Sequence, residues 1–152
     1  MSCPFCEDKI KESVFAESDN FRAIYNLAPI LPGHSLIIPK KHVISLLDLS
    51  DLGLSEMIIF AKETTQILLE AFNSVSFNWS VQDSEAAGQT VAHLHMHIVP
   101  RYTDDLPDPG DWYPKINNNL NEILDSDSRD KLSQDQLEKI VAKLKRFGKD
   151  RV

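Results

Sequence analysis

Residues 88–101 read Gly-Gln-Thr-Val-Ala-His-Leu-His-Met-His-Ile-Val-Pro-Arg, and three of the chain's five histidines occupy alternate positions there. The residues between and after these histidines are apolar and mostly favour β structure, which predicts a strand from His93 to Arg101. Alternate side chains of a strand lie on one face, so we expect His93, His95 and His97 to point the same way, about 7 Å apart. The stretch therefore predicts a row of imidazoles on one face of a sheet.

A row of imidazoles has three interpretations. Three nitrogen ligands and a water could form a catalytic zinc site. One imidazole could instead attack an electrophile while its neighbours position it or transfer protons. The third interpretation is that the histidines are ordinary half-exposed strand residues. Chance alternation is improbable, and the turn Gly88-Gln89-Thr90 could offer backbone N–H groups, so we favour chemistry, although spacing does not separate a metal from a nucleophile.

Length and composition indicate one globular domain without a membrane segment. The chain has 152 residues, of which 42% are hydrophobic and 26% are charged. Its net charge of -7 argues against non-specific binding of nucleic acid. No apolar run approaches the roughly 20 residues of a membrane span, and the chain does not start with a leader pattern, so we expect no membrane partner and a cytoplasmic location.

Apolar periodicity predicts an α+β domain built on an antiparallel sheet. We expect strands at residues 21–26, 35–38 and 77–82, in addition to the histidine strand. The turn Leu31-Pro32-Gly33 separates the first two strands and predicts an antiparallel hairpin.

Two helices are expected around and after these strands. Ser50 or Asp51 can cap the first, and its apolar face is formed by Leu54, Ile58, Ala61, Thr65, Leu68 and Phe72. A capping box at residues 133–136 begins the second, and Gly148 is its expected stop. The buried face of this second helix is formed by Leu137, Ile140, Val141 and Leu144.

The segment between the sheet and the last helix is rich in proline and aspartate. Trp112 and Tyr113 could stack on a base or pack on the sheet, and residues 117–124 could form a short helix. Three basic residues could attract a polyanion, although solvated surface charge is the favoured interpretation for Lys40, Lys41 and Arg101.

The histidine stretch resembles the motif that names the histidine-triad (HIT) superfamily of nucleotide hydrolases and transferases. The matching residues are Gln89-Thr90-Val91-x-His93-x-His95-x-His97. Pro32-Gly33-His34, followed by an aliphatic strand and Pro39-Lys40-x-His42, is similar to the other half of the family pattern. The resemblance extends from about Cys3 to Tyr102, in the expected order.

This resemblance implies a fold and an assembly. The expected fold is a five-stranded antiparallel half-barrel with one main helix and a C-terminal helix. Residues 1–152 would form a single domain, with the motifs in residues 1–102 and a loop and the C-terminal helix in residues 103–152. Two copies would join into a homodimer with a ten-stranded sheet.

The sequence Ser80-Val81-Gln82-Asp83 before Glu85 to Thr90 resembles the fragile-histidine-triad branch, which cleaves dinucleoside polyphosphates. This implies hydrolysis of substrates such as diadenosine tri- or tetraphosphate at the α-phosphorus, through a nucleotidyl group on His95. His34 would support the other ring nitrogen of His95 through the hydrogen-bond network of the strand. The implied catalytic residues are His95, His97, Gln89 and His34. The implied nucleotide-binding residues are Asn26 at the ribose, Gln82 at the phosphates or sugar, Gly88, Gln89, Thr90, Val91 and His97.

Other activities compete with this hydrolase. A nucleoside phosphoramidase and a dinucleoside polyphosphate phosphorylase are enzymatic alternatives within the same superfamily. A non-catalytic nucleotide sensor is an alternative of a different class. The complete triad with Gln89 disfavours a pure sensor, because binding alone does not require a nucleophile.

Both cysteines lie in Cys3-Pro4-Phe5-Cys6. This spacing alone fits a zinc site, a redox pair or two unremarkable thiols. The resemblance implies a structural zinc held by Cys3, Cys6, His42 and His93, with no position left for substrate. A Mg²⁺ carried by the substrate could touch Asp104 and Asp105, although a solvated loop is favoured there.

Overall fold

The computed structural model describes residues 2–106, 108 and 129–149, and within them five strands form one open antiparallel sheet. Its order is β1-β2-β3-β5-β4. The strands are β1 Val14–Glu17, β2 Phe21–Tyr25, β3 Ser35–Pro39, β4 Ser76–Val81 and β5 Met96–Arg101, and the helices are α1 Asp51–Ala71 and α2 Gln134–Lys149. Both helices contact the sheet and each other, so the expected α+β fold is confirmed. The predictions for Trp112, Tyr113 and residues 117–124 lie outside the described residues.

The predicted hairpin is present, and one strand had no sequence signal. β2 and β3 pair in antiparallel register from Phe21 with Pro39 to Tyr25 with Ser35. β1 pairs with β2 and contains an irregularity between Val14 and Ala16. Four residues with such an irregularity are too short to produce a clear period-two pattern, so the edge strand was not located from the sequence.

β5 begins at Met96, so the prediction of a strand from His93 was wrong by three residues. The ladder between β3 and β5 ends at the pair Ile37 and Met96. Pro39 has no N–H group, which prevents the ladder from extending to its position. The backbone N–H of Leu94 instead donates to the carbonyl of Val43 at 2.6 Å. His93 and His95 therefore lie in a connecting segment before β5. Their side chains do not have to alternate between two faces as they would in a strand.

Helix α1 begins as predicted but buries a different face. The Ser50 Oγ accepts a hydrogen bond from the Gly53 N–H at 3.1 Å, which confirms the cap. Leu54 and Ile58 are 38% and 40% exposed, so the predicted face was wrong in the first half of the helix. The buried side is formed by Met57, Phe60, Ala61, Thr64, Thr65, Ile67, Leu68 and Ala71. Apolar residues lie on several sides of the first turns of α1. The side that is buried therefore depends on packing and not on the periodicity of the sequence.

Helix α2 has the predicted capping box. The Ser133 N–H donates to the Gln136 Oε1 at 2.9 Å, and the Gln136 N–H donates to the Ser133 Oγ at 3.2 Å. Leu137, Val141 and Leu144 are buried as expected. Gly148 was wrong as the stop, because the helix continues to Lys149. In the part of the chain that the structure describes, neither helix has the length and apolar character needed to cross a bilayer.

Candidate active site and metal-ligand cluster

A cavity of about 200 Å³ opens beside the start of β5. One part of its wall is apolar, with Phe5, Ile10, Ile24 and Leu36 among the lining residues. Six of the predicted catalytic and nucleotide-binding residues also line it, namely Asn26, Gly88, Thr90, Val91, His95 and His97. Among the described residues, the predicted residues His34, Gln82 and Gln89 are not part of this lining.

The hydrogen bond of His95 determines which of its ring nitrogens can react. His95 Nδ1 lies 2.8 Å from the carbonyl oxygen of His93, and a carbonyl can only accept, so Nδ1 carries the proton. The Nε2 atom therefore keeps its lone pair. Burial lowers the pKa of His95, which favours this neutral form. The arrangement yields a neutral imidazole with a nucleophilic nitrogen in the cavity wall.

His34 contacts His97 instead of His95, so its predicted support of His95 was wrong. The His34 Nδ1 accepts from the Ile30 N–H at 3.1 Å, which places the His34 proton on Nε2. That Nε2 donates to the His97 Nδ1 at 2.9 Å, and His97 consequently carries its own proton on Nε2. The carbonyl of His93 does for His95 what His34 was expected to do.

Both members of this histidine pair are neutral at physiological pH. Burial, reinforced by the electrostatic interactions with Arg129 and His95, lowers the pKa of His34 to about 3. Burial also holds the pKa of His97 well below its usual range, with further contributions from His34, His95 and Arg129. His97 is therefore not a protonated general acid, and the ring acts as a neutral N–H donor.

The Gly88 turn and the Gln89 side chain are engaged within their own loop. The N–H groups of Gly88 and Gln89 donate to the carbonyls of Glu85 and Ser84. The Gln89 Oε1 accepts from the Ser84 N–H at 3.0 Å, and its Nε2 donates to the Ile44 carbonyl at 3.0 Å. These bonds hold the loop at the cavity rim, and they differ from the direct phosphate contacts expected of Gln89.

Gln82 is buried next to β4. Its Nε2 donates to the Ser80 Oγ, and its Oε1 is buried without a hydrogen-bond partner among the described residues. A buried acceptor without a partner is costly, so this amide has one acceptor position to satisfy.

The four predicted metal ligands converge on one point. The ligand atoms of Cys3, Cys6, His42 and His93 all lie within 4.8 Å of one another. The Cys3 Sγ lies 3.4 Å from the His93 Nδ1, and the Cys6 Sγ lies 3.4 Å from the His42 Nδ1 and 3.5 Å from the His93 Nδ1. Tetrahedral zinc with ordinary bond lengths separates sulfur and nitrogen ligands by about 3.5 Å. The cluster can therefore hold a metal ion.

The tautomer of His93 fits a ligand role. Its Nε2 lies 2.9 Å from the Pro39 carbonyl, so Nε2 carries the proton and Nδ1 presents a lone pair to the cysteines. Phe5, between the two cysteines, contacts both His93 and His95 edge-on, with ring centroids 5.6 and 5.4 Å apart. The cluster and the cavity thus share one wall.

Charged residues are placed differently from the sequence expectation. Lys40 lies 4.0 Å from a Glu17 oxygen, and Arg101 binds Asp105 at 2.8 Å, so these charges face acidic side chains. Asp105 is consequently an ion-pair partner and not part of a solvated loop. The cation that lines the cavity is Arg129, which the sequence did not single out because a lone arginine among aspartates and serines carries no pattern.

Comparison with known proteins assigns the family. A family model described as the HIT domain matches residues 7–104, which is more than half of the chain. The chain therefore belongs to the HIT family, as the histidine motif indicated.

Similar proteins include two named nucleotide phosphatases. The chain is 34% identical over 115 residues to the bis(5'-nucleosyl)-tetraphosphatase [asymmetrical] of Schizosaccharomyces pombe, covering 76% of this chain and 63% of that relative. It is 33% identical over 106 residues to the bis(5'-adenosyl)-triphosphatase of Dictyostelium discoideum, covering 70% and 71% of the two chains. The crystal structure of Plasmodium falciparum diadenosine triphosphate hydrolase in complex with Cyclomarin A matches with a TM-score of 0.73 and 25% identity, over 93% of this chain and 79% of that one.

Proposed function

We propose that this protein hydrolyses dinucleoside polyphosphates, such as diadenosine tri- or tetraphosphate, at the α-phosphorus. The observation that carries the proposal is the neutral His95, whose Nδ1–H is bound by the His93 carbonyl at 2.8 Å and whose Nε2 lone pair remains available beside the cavity. The names of the similar S. pombe and D. discoideum proteins support the substrate class.

In the first step, His95 Nε2 attacks the α-phosphorus while the bond to the bridging oxygen breaks, which releases the remaining nucleotide. The nitrogen gains a bond to phosphorus, and the ring acquires positive charge. The His93 carbonyl, already bonded to Nδ1–H, stabilises that charge without moving. The His97 Nε2–H is a neutral donor for an oxygen of the transferred phosphate.

In the second step, water attacks the same phosphorus and the phosphorus–nitrogen bond breaks. The water oxygen becomes part of the released mononucleotide, its proton goes to solvent, and His95 returns to its neutral form. Asn26 binds the ribose in this proposal, since it lines the cavity together with His95 and His97. A contact between Gln82 and the phosphates or sugar stays a prediction, because Gln82 is not part of the cavity lining and its Oε1 is buried.

Zinc is the metal proposed for the Cys3, Cys6, His42 and His93 cluster. Two thiolates and two imidazoles form a donor set that zinc prefers in structural sites. With four protein ligands, a bound metal would supply a fixed structural connection and would leave no position for substrate. It would connect the N-terminal segment to the residue that holds His95.

Homodimerisation, a cytoplasmic location and a Mg²⁺ carried by the substrate stay predictions. Asp104 and Asp105 are the two residues predicted to touch this Mg²⁺. The Asp105 carboxylate accepts from Arg101 and from the Tyr102 N–H, whereas Asp104 is exposed.

A substrate panel tests the activity. Purified protein is incubated with diadenosine triphosphate, diadenosine tetraphosphate and adenosine 5'-phosphoramidate, each with and without orthophosphate, and the products are separated by chromatography. We expect AMP with ADP from the triphosphate and AMP with ATP from the tetraphosphate, independent of orthophosphate. Turnover of the phosphoramidate alone would identify a phosphoramidase, and products that require orthophosphate would identify a phosphorylase. Tight nucleotide binding without turnover would identify a sensor.

A further inference from the structure

Arg129 is the only lysine or arginine among the described residues that line the cavity. It comes from a segment far from the histidine motif in sequence, directly before helix α2. The same cavity is lined by Asn26, His95 and His97. A permanent positive charge has thus been brought to a wall whose other described residues are neutral polar and apolar groups.

Two hydrogen bonds fix the segment that carries Arg129. The Arg129 Nε–H donates to the Ala28 carbonyl at 2.8 Å, and the Leu132 N–H donates to the Leu27 carbonyl at 2.9 Å. Leu27 and Ala28 directly follow Asn26, so the arginine is attached to the loop that continues from β2. This attachment holds a planar guanidinium, which is suited to phosphate oxygens, at one position of the wall.

The charge of Arg129 is felt at the histidine pair. Burial is the main cause of the lowered pKa of both His34 and His97, and the charge of Arg129 is a further cause. Its field therefore reaches the polar side of the cavity, where the proposed reaction takes place.

The need for such a cation follows from the charge of the substrate and of the protein. The chain has a net charge of -7, and the described residues that line the cavity include no second lysine or arginine. A dinucleoside tri- or tetraphosphate carries several negative charges, which neutral imidazoles do not compensate. Lys40 and Arg101 are not among the residues that line this cavity.

We propose that Arg129 binds the polyphosphate chain and makes this site selective for polyanionic over uncharged nucleoside ligands. The proposal rests on the proposed hydrolase activity for its substrate class. Arg129 is a specificity residue in this scheme, and the bond-breaking chemistry stays with His95.

Kinetics of Arg129→Gln and Arg129→Lys test the proposal, with diadenosine tetraphosphate as substrate and adenosine as an uncharged competitive inhibitor. For Arg129→Gln we expect KM to rise about tenfold, kcat to change less than about threefold and the inhibition constant of adenosine to stay within about twofold. Arg129→Lys should restore most of the wild-type KM. The KM of the wild type should also rise more steeply with sodium chloride than that of Arg129→Gln.

The matched control is Arg146→Gln, which removes the same charge from an exposed position at the end of α2. It should leave KM unchanged. Equal losses for the tetraphosphate and adenosine, or equal behaviour of the Lys and Gln variants, would show that Arg129 only supports the wall, and an unchanged Arg129→Gln would overturn any role. If the wild type cleaves no dinucleotide, the hydrolase proposal fails separately. The ratio of the affinities for ATP and adenosine, measured in Arg129→Gln and Arg129→Lys, then still decides the role of Arg129.

Discussion

Titratable side chains are buried near both ends of β5. They are neutral near its start and charged and paired near its end. Around its start, His93, His95 and His97 are at most 8% exposed, and burial lowers the pKa of each, so the rings are neutral. At its end, Arg101 and Asp105 keep their charges and bind each other through two hydrogen bonds of 2.8 Å.

The difference separates reactive groups from structural ones. Arg101 and Asp105 neutralise each other's charge. An ion pair of this kind holds the chain in place and takes no part in a reaction. At the histidine end, each ring has one nitrogen bound and another left with a lone pair or an N–H group. His93 directs its lone pair to the cysteines, and His95 keeps its lone pair for the cavity. The bonded nitrogen in each ring determines what the other nitrogen can do.

The largest expected effect is on His95. The His95→Ala variant should lose more than about 10³-fold in kcat, because it lacks the nitrogen that forms the covalent bond. AMP binding, measured by calorimetry, should persist within about threefold, since the rest of the cavity is retained. A variant with near-normal turnover would end the proposed mechanism and remove the distinction between the two ends of β5.

Loss of the metal should affect stability more than chemistry. Cys6→Ala removes one of the four ligands, so zinc content by mass spectrometry of the native protein should fall and Tm should decrease by several degrees. We expect at least about one tenth of wild-type kcat, because the Pro39 carbonyl still holds the His93 ring. His95→Ala is the control, and it should retain its zinc. Wild-type protein that is metal-free and fully active would contradict the structural zinc.

The backbone turn before His34 connects the histidine end to the other end of β5. Gly33 has a φ of +93°, and a Cβ on it would lie 2.7 Å from the Pro100 Cγ. Gly33→Ala should therefore lower the free energy of unfolding by about 2 kcal/mol or more, as measured by urea denaturation. Gly148→Ala, where a Cβ would make an ordinary 3.5 Å contact with Ile67, is the control and should not destabilise. Equal stability of the two variants would refute the turn's role.

The smallest effect is expected at the charged end. Hydrogen bonding to Arg101 lowers the pKa of Asp105 from 3.8 to about 2, so its contribution to stability is complete above pH 3.8 and is lost as the pH falls towards 2. Asp105→Asn should destabilise by about 1 kcal/mol at pH 7, and the difference should shrink steadily in thermal unfolding curves as the pH falls from 3.8 towards and below 2. Asp104→Asn, at the exposed neighbour, is the control. If both variants unfold alike at pH 7, the ion pair does not stabilise the strand end.

Much of the fold was predictable because local signals were strong. The Pro32-Gly33 turn, the Ser50 cap and the Ser133–Gln136 capping box each depend on residues within a few positions of one another, and all three are present. The face of α1 was not predictable in its first half, since apolar residues occur on several sides. Gly148 failed as a stop because glycine can also adopt the helical conformation, and α2 continues to Lys149.

The sequence by itself determined the set of chemical groups: the resemblance of its histidine and cysteine motifs to the HIT family predicted the metal ligands and the cavity residues His95 and His97. Only the tertiary structure decided the partner of each ring nitrogen and the charge in the cavity. The hydrogen bond between His34 and His97 joins residues that are 63 positions apart in the sequence. The hydrogen bond between Arg129 and Ala28 joins residues that are 101 positions apart. Such contacts are produced by packing of the whole domain, and no local pattern encodes them.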